Sequence, residues 1–269
     1  MRSLLLLLIA AQLAAGVPEP KEADIAWVAE GKFCEPETVL PLPDDTLLVS
    51  NVCDFRTIGD GFLTLLSAKG DVINWRIVDQ LDAPLGMAFV DGLLHVVDNN
   101  QVKTFEWPGY DYQSVIRLET KVANDIAVSR DGTIYVTDTA RGEVVVIDKS
   151  LEQSLLIGEG HFKGANGIHV DDEILYIGGE YLWSVELGHN TVTRIGPDWL
   201  TDIDGIEIEP GGTLQVTPVA GPLIRLDTEI EVLGGDGISS ANHGYAANLK
   251  LALIPTGYDN TVIAVTVGD

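Results

Sequence analysis

VANDIAVSRDGTIYVTDT, residues 122–139, governs the reading of the whole chain. An apolar strand follows the polar Asn124, and a turn falls at Arg130-Asp131-Gly132. A second apolar strand runs from Thr133 to Val136 and closes at Asp138. Apolar strands bounded by an Asp-Gly turn are the pattern of a hairpin. Related units read APLGMAFVDGLLHVVDN from Ala83, GANGIHVDDEILYIGGE from Gly164 and DIDGIEIEPGGTLQVTP from Asp202. Aligned on the residue that opens each first strand, six units begin at Glu37, Leu85, Asn124, Asn166, Asp204 and Asn242. Their spacings are 39, 42, 38 and 38 from Leu85 onward. The first interval is 48, because an insertion follows Val52.

A strand-turn-strand repeat of roughly 40 residues is the signature of a propeller blade. A sheet this small cannot bury its faces alone, and stacking around an axis solves that. No sustained helical periodicity occurs outside the N-terminus, and 28 glycines accompany the short apolar runs. The expected fold is all-β: one six-bladed β-propeller with four-stranded antiparallel blades. The last unit lacks an outer partner after 261–267, and the apolar segment 24–28 is expected to supply it. That would close the ring with an N-terminal strand.

The first residues, MRSLLLLLIAAQLAAG, read as a secretory signal peptide over 1–16, followed by a single domain over 17–269. The alternative is an uncleaved anchor, but the apolar run falls short of the ~20 residues that span a bilayer. A secreted or periplasmic protein is expected, without membrane contact after cleavage. The formal charge is −25, from 41 acidic and 16 basic residues. Such a field repels nucleic acid and anionic membrane and favours cations. Cys34 and Cys53 flank a hairpin that turns near Pro43-Asp44-Asp45. Their numbers sum to 87, where pairing about that turn asks for about 88, so a cross-hairpin disulfide is expected in an oxidising compartment. Two free buried thiols are the alternative.

The residues that open the innermost strands face one mouth of the central channel. Five of the six are carboxylates or carboxamides: Glu37, Asn124, Asn166, Asp204 and Asn242. Converging oxygens suit a hard cation, Ca²⁺ before other divalent ions, and the absence of a Cys/His cluster disfavours zinc. The alternative is that each polar residue opens a turn with its side chain bonded to backbone, but several in one register favour the site.

The order PET, ND, NG, DG at successive strand starts, with DGIEI and LIPTGYDNTVIAV, resembles the SMP-30/gluconolactonase/LRE family of six-bladed propellers. Its relatives include diisopropylfluorophosphatase and, more distantly, the paraoxonases. The resemblance spans about 34–267 and implies a calcium site of Glu37, Asn124, Asn166 and Asp204. It also implies that Asn124 lies close to substrate; Asn242, in the same register, is a second candidate for substrate contact. The first motif is EPETV where the family has EGP, and Asn242-His243 stands where many relatives have Asp. The resemblance therefore carries fold and metal but not substrate.

The expected activity is a Ca²⁺-dependent hydrolysis of a lactone, related ester or phosphotriester. The metal would polarise the carbonyl or phosphoryl oxygen. As the resemblance implies, Asp204, then Glu37, would act as base or nucleophile, and His243 at the same mouth could shuttle protons. The expected partner is a small-molecule substrate, and a monomer is expected. The rival from another class is a non-catalytic propeller binding module with a structural calcium; a lyase or isomerase on the same metal is a third reading. His95 and His169 read as packed or sheet-surface residues. No G-x-S-x-G, HExxH or P-loop sequence occurs.

Overall fold

The computed structural model describes residues 16–234 and 240–268. The expected leader over 1–16 lies, apart from Gly16, outside the described residues. Among the described residues the chain forms six four-stranded antiparallel sheets and no helix. The first strands of blades I to VI are Pro36–Pro41, Pro84–Val90, Ala123–Val128, Ile168–Asp171, Ile203–Ile208 and Gly244–Ala246. Each touches the first strand of the next blade, and Gly244–Ala246 touches Pro36–Pro41, so the six line a central channel. Blade VI is completed by Ile25–Ala29, antiparallel to Thr261–Thr266.

Blade III shows why these residues form a blade. Ser129 N–H donates to Thr133 O at 2.9 Å, and Gly132 N–H donates to Ser129 O at 2.8 Å. Gly132 takes φ 86, a conformation that costs other residues more. The following strand, Ile134–Asp138, is wholly buried and ends at Asp138. That carboxylate accepts N–H bonds from Lys121 at 2.6 Å and Val122 at 3.1 Å, bolting the incoming loop to the blade. Asp98 does the same for Asp82 and Ala83 in blade II, and Asn51 for Cys34 in blade I. Asp138, read as the close of its strand, is therefore structural, as are Asp98 and Asn51.

Apolar side chains fill the seams between blades. Leu48, Leu63, Met87 and Val96 join blades I and II, while Ile126, Val136, Val97 and Leu85 join II and III. Ile168 and Leu175 pack on Ala127 and Tyr135, and Ile206 and Val216 pack on Tyr176 and Leu182. Leu223 meets Ala252 and Ile254, and Leu253 and Val262 meet Val39 and Val49. Six clusters therefore serve six seams, each burying a face that a lone sheet would expose. Cys34 and Cys53 form a disulfide with a Cα–Cα separation of 4.7 Å. It ties the approach to the first strand of blade I to the 52–60 loop.

Candidate functional site

Glu37, Asn124, Asn166, Asp204 and Asn242 occupy equivalent positions. Two residues beyond each, Val39 pairs with Val49, Ile126 with Val136, Ile168 with Ile177, Ile206 with Val216 and Gly244 with Leu253. In blades I, III and V a bulge interrupts pairing just past the opening residue, and a hydroxyl takes the freed N–H. Thr38 N–H donates to Ser50 Oγ at 2.9 Å, Asp125 N–H to Thr137 Oγ1 at 2.9 Å, and Gly205 N–H to Thr217 Oγ1 at 3.2 Å. These hydroxyls hold the channel mouth in shape.

The side chains at that level are oriented by partners outside the mouth. Asn124 Nδ2 donates to Thr139 Oγ1 at 3.1 Å, and Thr139 Oγ1 donates to Ala165 O at 2.7 Å. Asn166 hydrogen-bonds the Asp204 carboxylate. Thr38 Oγ1 donates to Glu37 Oε2 at 2.6 Å and accepts from Asn242 Nδ2 at 3.3 Å. Asn242 also bonds Asp125, so its amide is committed to the framework. After this accounting, Asn124 Oδ1, Asn166 Oδ1 and Asp204 Oδ1 are buried with no hydrogen-bond partner. Leaving such an acceptor unsatisfied costs about 1–3 kcal/mol.

One residue deeper stand Thr38, Gly86, Asp125, Gly167, Gly205 and His243. The glycines are required by space. A Cβ at Gly86 would lie 2.1 Å from Asp125 Oδ1, and one at Gly167 would lie 1.6 Å from Asp204 O. Asp125 is buried, accepting from Ile126 N–H at 2.8 Å and Ile168 N–H at 2.9 Å. His243 is 1% exposed and meets Thr217 Oγ1 through Nδ1 at 3.0 Å. Thr217's own proton goes to Ala241 O at 3.1 Å, so His243 Nδ1 carries the hydrogen. Its Nε2 is then a lone pair without a partner. Deeper again, His169 Nδ1 lies 3.4 Å from Glu207 Oε2.

The electrostatics are dominated by crowded carboxyls. Burial pushes Glu37 up to about 7. Burial, then the Glu37 charge, pushes Asp125 up to about 8. Burial, then Glu37 and Asp125, holds Asp204 well above the usual carboxylate range. Burial and the Asp125 charge raise Glu207 to about 8. His169 falls to about 4 and His243 to about 3, both chiefly through burial. His169 and Glu207 line the channel cavity, and burial is the largest cause of both shifts, outweighing the Asp171 charge that favours protonated His169. No Lys or Arg lines either channel cavity.

Two cavities lie to either side of this level. One of about 300 Å³ opens outward over Glu37 and Asp204, past Phe55, Val219 and Tyr258. The other, about 280 Å³, runs down the channel past Asp125, Asn242, His169, Glu207 and His243. A larger cleft of about 730 Å³, lined by Glu119, Arg141 and Glu143, lies away from the channel and holds none of these groups. Among the described residues no cluster of three or more His, Cys, Asp or Glu is arranged to hold a metal. A cation at the mouth would need the Asn124 and Asn166 amide oxygens beside the carboxylates, and those oxygens are the ones left without donors. The donor set fits a hard ion.

The expected set Glu37, Asn124, Asn166, Asp204 and Asn242 shares one register. His243 lies a layer below, with its basicity lowered by burial, a direction that works against proton shuttling. Asp125, Glu207 and the His169 contact were not anticipated. His95, expected to be packed, is buried against Thr104 Oγ1 at 3.1 Å.

No family model matches the chain, so none places it in the SMP-30/gluconolactonase/LRE family, and no curated protein matches it. Solved structures do. A catalytically inactive variant of virginiamycin B lyase from Staphylococcus aureus with quinupristin superposes with a TM-score of 0.61 at 14% identity. That match covers 90% of this chain and 99% of the other. A streptogramin B lyase matches with a TM-score of 0.61 at 11% identity, covering 90% and 98%. A chain of a nidogen/laminin complex matches with a TM-score of 0.69 at 17% identity, covering 81% and 88%. What is shared is the propeller fold. These neighbours include both enzymes and a chain of a protein complex.

Proposed function

We propose that the channel mouth holds a hard divalent cation, Ca²⁺ first. We further propose that the chain uses it to hydrolyse a lactone, related ester or phosphotriester. The observation that carries this is the trio of buried, unpartnered oxygens on Asn124, Asn166 and Asp204, with Glu37 in the same register. The carboxyl crowding supports it, since only protons or a cation can offset those charges where no Lys or Arg is present.

A bound cation supplies Lewis acidity to the carbonyl or phosphoryl oxygen and lowers the basicity of nearby carboxyls. Glu37 and Asp204 would hold the cation and offset its charge, with Asn124 and Asn166 supplying amide oxygens. Asp204 would take a proton from the attacking water; the water oxygen would bond the acyl carbon or phosphorus as the bond to the leaving oxygen breaks, and that proton would pass to the leaving oxygen. The outward cavity over Glu37 and Asp204 gives substrate a route, which a plugged binding platform would not offer.

The test is cation content and calorimetric binding of the mature protein, with Asp204→Ala and Asn166→Ala beside it. Lactones and phosphotriesters are then screened with and without chelator. One ion per chain, lost in both variants, with chelator-sensitive turnover, supports the proposal. An ion bound without turnover points to a binding module, and no bound ion overturns the reading altogether.

A further inference from the structure

The outward cavity is polar at its floor and apolar at its rim. Glu37 and Asp204 form the floor, while Pro36, Val52, Phe55, Val219, Ala220 and Tyr258 line the walls. Phe55 is 64% exposed, Val219 53% and Tyr258 87%, and Ile58 on the Phe55 loop is 84% exposed. Single exposed apolar residues are ordinary. Three at one channel mouth, Phe55, Val219 and Tyr258, on three separate loops and over the carboxylates, are a ligand surface.

The rim is held in place. Cys53 ties the Phe55 loop to Cys34, and Asp54 accepts from Arg56 N–H at 2.9 Å and Thr57 Oγ1 at 3.1 Å. Val219 N–H donates to Asp202 O at 2.8 Å, and Asn260, beside the Tyr258 turn, accepts from Glu35 N–H at 2.7 Å. A surface ordered beforehand loses less entropy when it binds.

The polar side of the cavity is sparse. Ser240 Oγ is committed to Pro218 O and Gly221 O, both at 2.8 Å. What remains is Glu37, Asp204, the Tyr258 hydroxyl and Glu35 at the rim. A polyol would bury several hydroxyls here with few partners, at a cost for each. A carboxylate-bearing ligand would find no Lys or Arg among the lining residues, and the charge of one divalent cation is already offset by Glu37 and Asp204.

We infer that this site takes an uncharged ester or lactone with an apolar acyl or aryl group, and not a sugar lactone. Its reacting carbonyl lies over Glu37 and Asp204, and its apolar part rests on Phe55, Val219 and Tyr258. The inference rests on the hydrolase reading for turnover but not for binding. The cavity volume, about 300 Å³, lies at the small end for ligand sites, so one short chain or one ring fills it.

Two measurements on the Ca²⁺-loaded mature protein test it. The first is the KM of γ-lactones with lengthening alkyl chains, against gluconolactone. Burial of each methylene lowers KM about fourfold until the rim is filled. Phe55→Ala and Tyr258→Ala flatten that series, and both side chains are exposed, so the core is untouched. A flat wild-type series, or gluconolactone as the best substrate, overturns the inference. The second is fluorescence titration with uncharged N-phenyl-1-naphthylamine, which needs no turnover. Saturable binding weakened at least fivefold in either variant supports the apolar rim even if no ester is cleaved, and that outcome counts against the hydrolase reading alone. No binding, or binding unchanged in both variants, overturns it.

Discussion

Asn124 and Thr139 are locked by a single bond of 3.1 Å from the amide Nδ2 to Oγ1, and Thr139 donates onward to Ala165 O. The bond determines which end of the amide looks into the channel. Thr139→Val removes it without touching the mouth and frees the amide to turn. Partners of this kind are worth 10–100-fold in metal affinity. Ca²⁺ affinity by calorimetry is expected to fall about tenfold in Thr139→Val and to recover in Thr139→Ser. Equal affinity in all three proteins would remove Asn124 from the ligand set.

Raised carboxyls fix the sign of a pH effect. Glu37 and Asp125 titrate near 7 and 8 when folded, above their ordinary carboxylate range. The folded state therefore binds more protons than the unfolded state between about pH 5 and 8. Their contribution is complete below the unfolded range and is lost as pH rises through the folded values. In chelator, the melting temperature is expected to drop from pH 5 to pH 9, and saturating Ca²⁺ should restore most of the loss at pH 9. A melting temperature that is flat or climbs over this window in chelator contradicts the crowding described here.

Space at the second ring can be probed by one methyl group. Gly167→Ala places a Cβ 1.6 Å from Asp204 O, where backbone must move. Overpacking of this kind costs typically 1–3 kcal/mol, and this position belongs at or beyond the upper end. Gly211→Ala, which meets nothing within 4 Å, serves as control and should stay within about 0.5 kcal/mol. Urea titration of both variants measures the difference. Similar losses in the two would mean the inner strands are farther apart than described.

His243 is expected to remain neutral from pH 5 to 8, with its hydrogen on Nδ1. Burial and His169 hold its basicity down to about 3, and Thr217 selects the tautomer. Nitrogen-15 shifts of labelled imidazoles report both properties. An imidazolium signal near pH 6 would restore the proton-shuttle role.

The Cys34–Cys53 bridge closes a short hairpin, so its loss should cost about 2–4 kcal/mol in denaturant. Cys34→Ser with Cys53→Ser is the variant to measure. The 52–60 loop carries Phe55, so the same variant should also bind the naphthylamine probe more weakly. Unchanged stability would show that the hydrogen bond from Cys53 N–H to Cys34 O, at 3.0 Å, suffices by itself.

The sequence reading succeeded where one physical constraint repeats. Asn124, Asn166 and Asp204 could be placed in one register because each precedes an apolar strand and a turn at a fixed distance. Asp125 was hidden by its neighbour: in the doublet Asn124-Asp125, only the first residue matched the other blades. Its signal was an unpaired acid at a place where three other blades have glycine. Glu207 and His169 were hidden by alternation, since IEI and IHV read as strands with one polar, solvated face. A channel lumen is a third environment, neither core nor bulk water, and period-two patterning cannot separate it from the outside. Which amide oxygen is free was also illegible, because it depends on Thr139, fifteen residues away, and on Ala165 in the next blade.

The pairing of Ile25–Ala29 with Thr261–Thr266 sets an order of events in biosynthesis. The strand translated first is the one that waits longest for its neighbour, and Trp27, which reaches Ala68 O at 3.2 Å, waits with it. Throughout elongation the growing chain thus carries an open strand edge, the kind that recruits other chains. Protease resistance should consequently arrive in one step once Thr261–Thr266 is free to pair. Chains arrested a few residues short of Thr261 should remain digestible, however many blades precede the arrest.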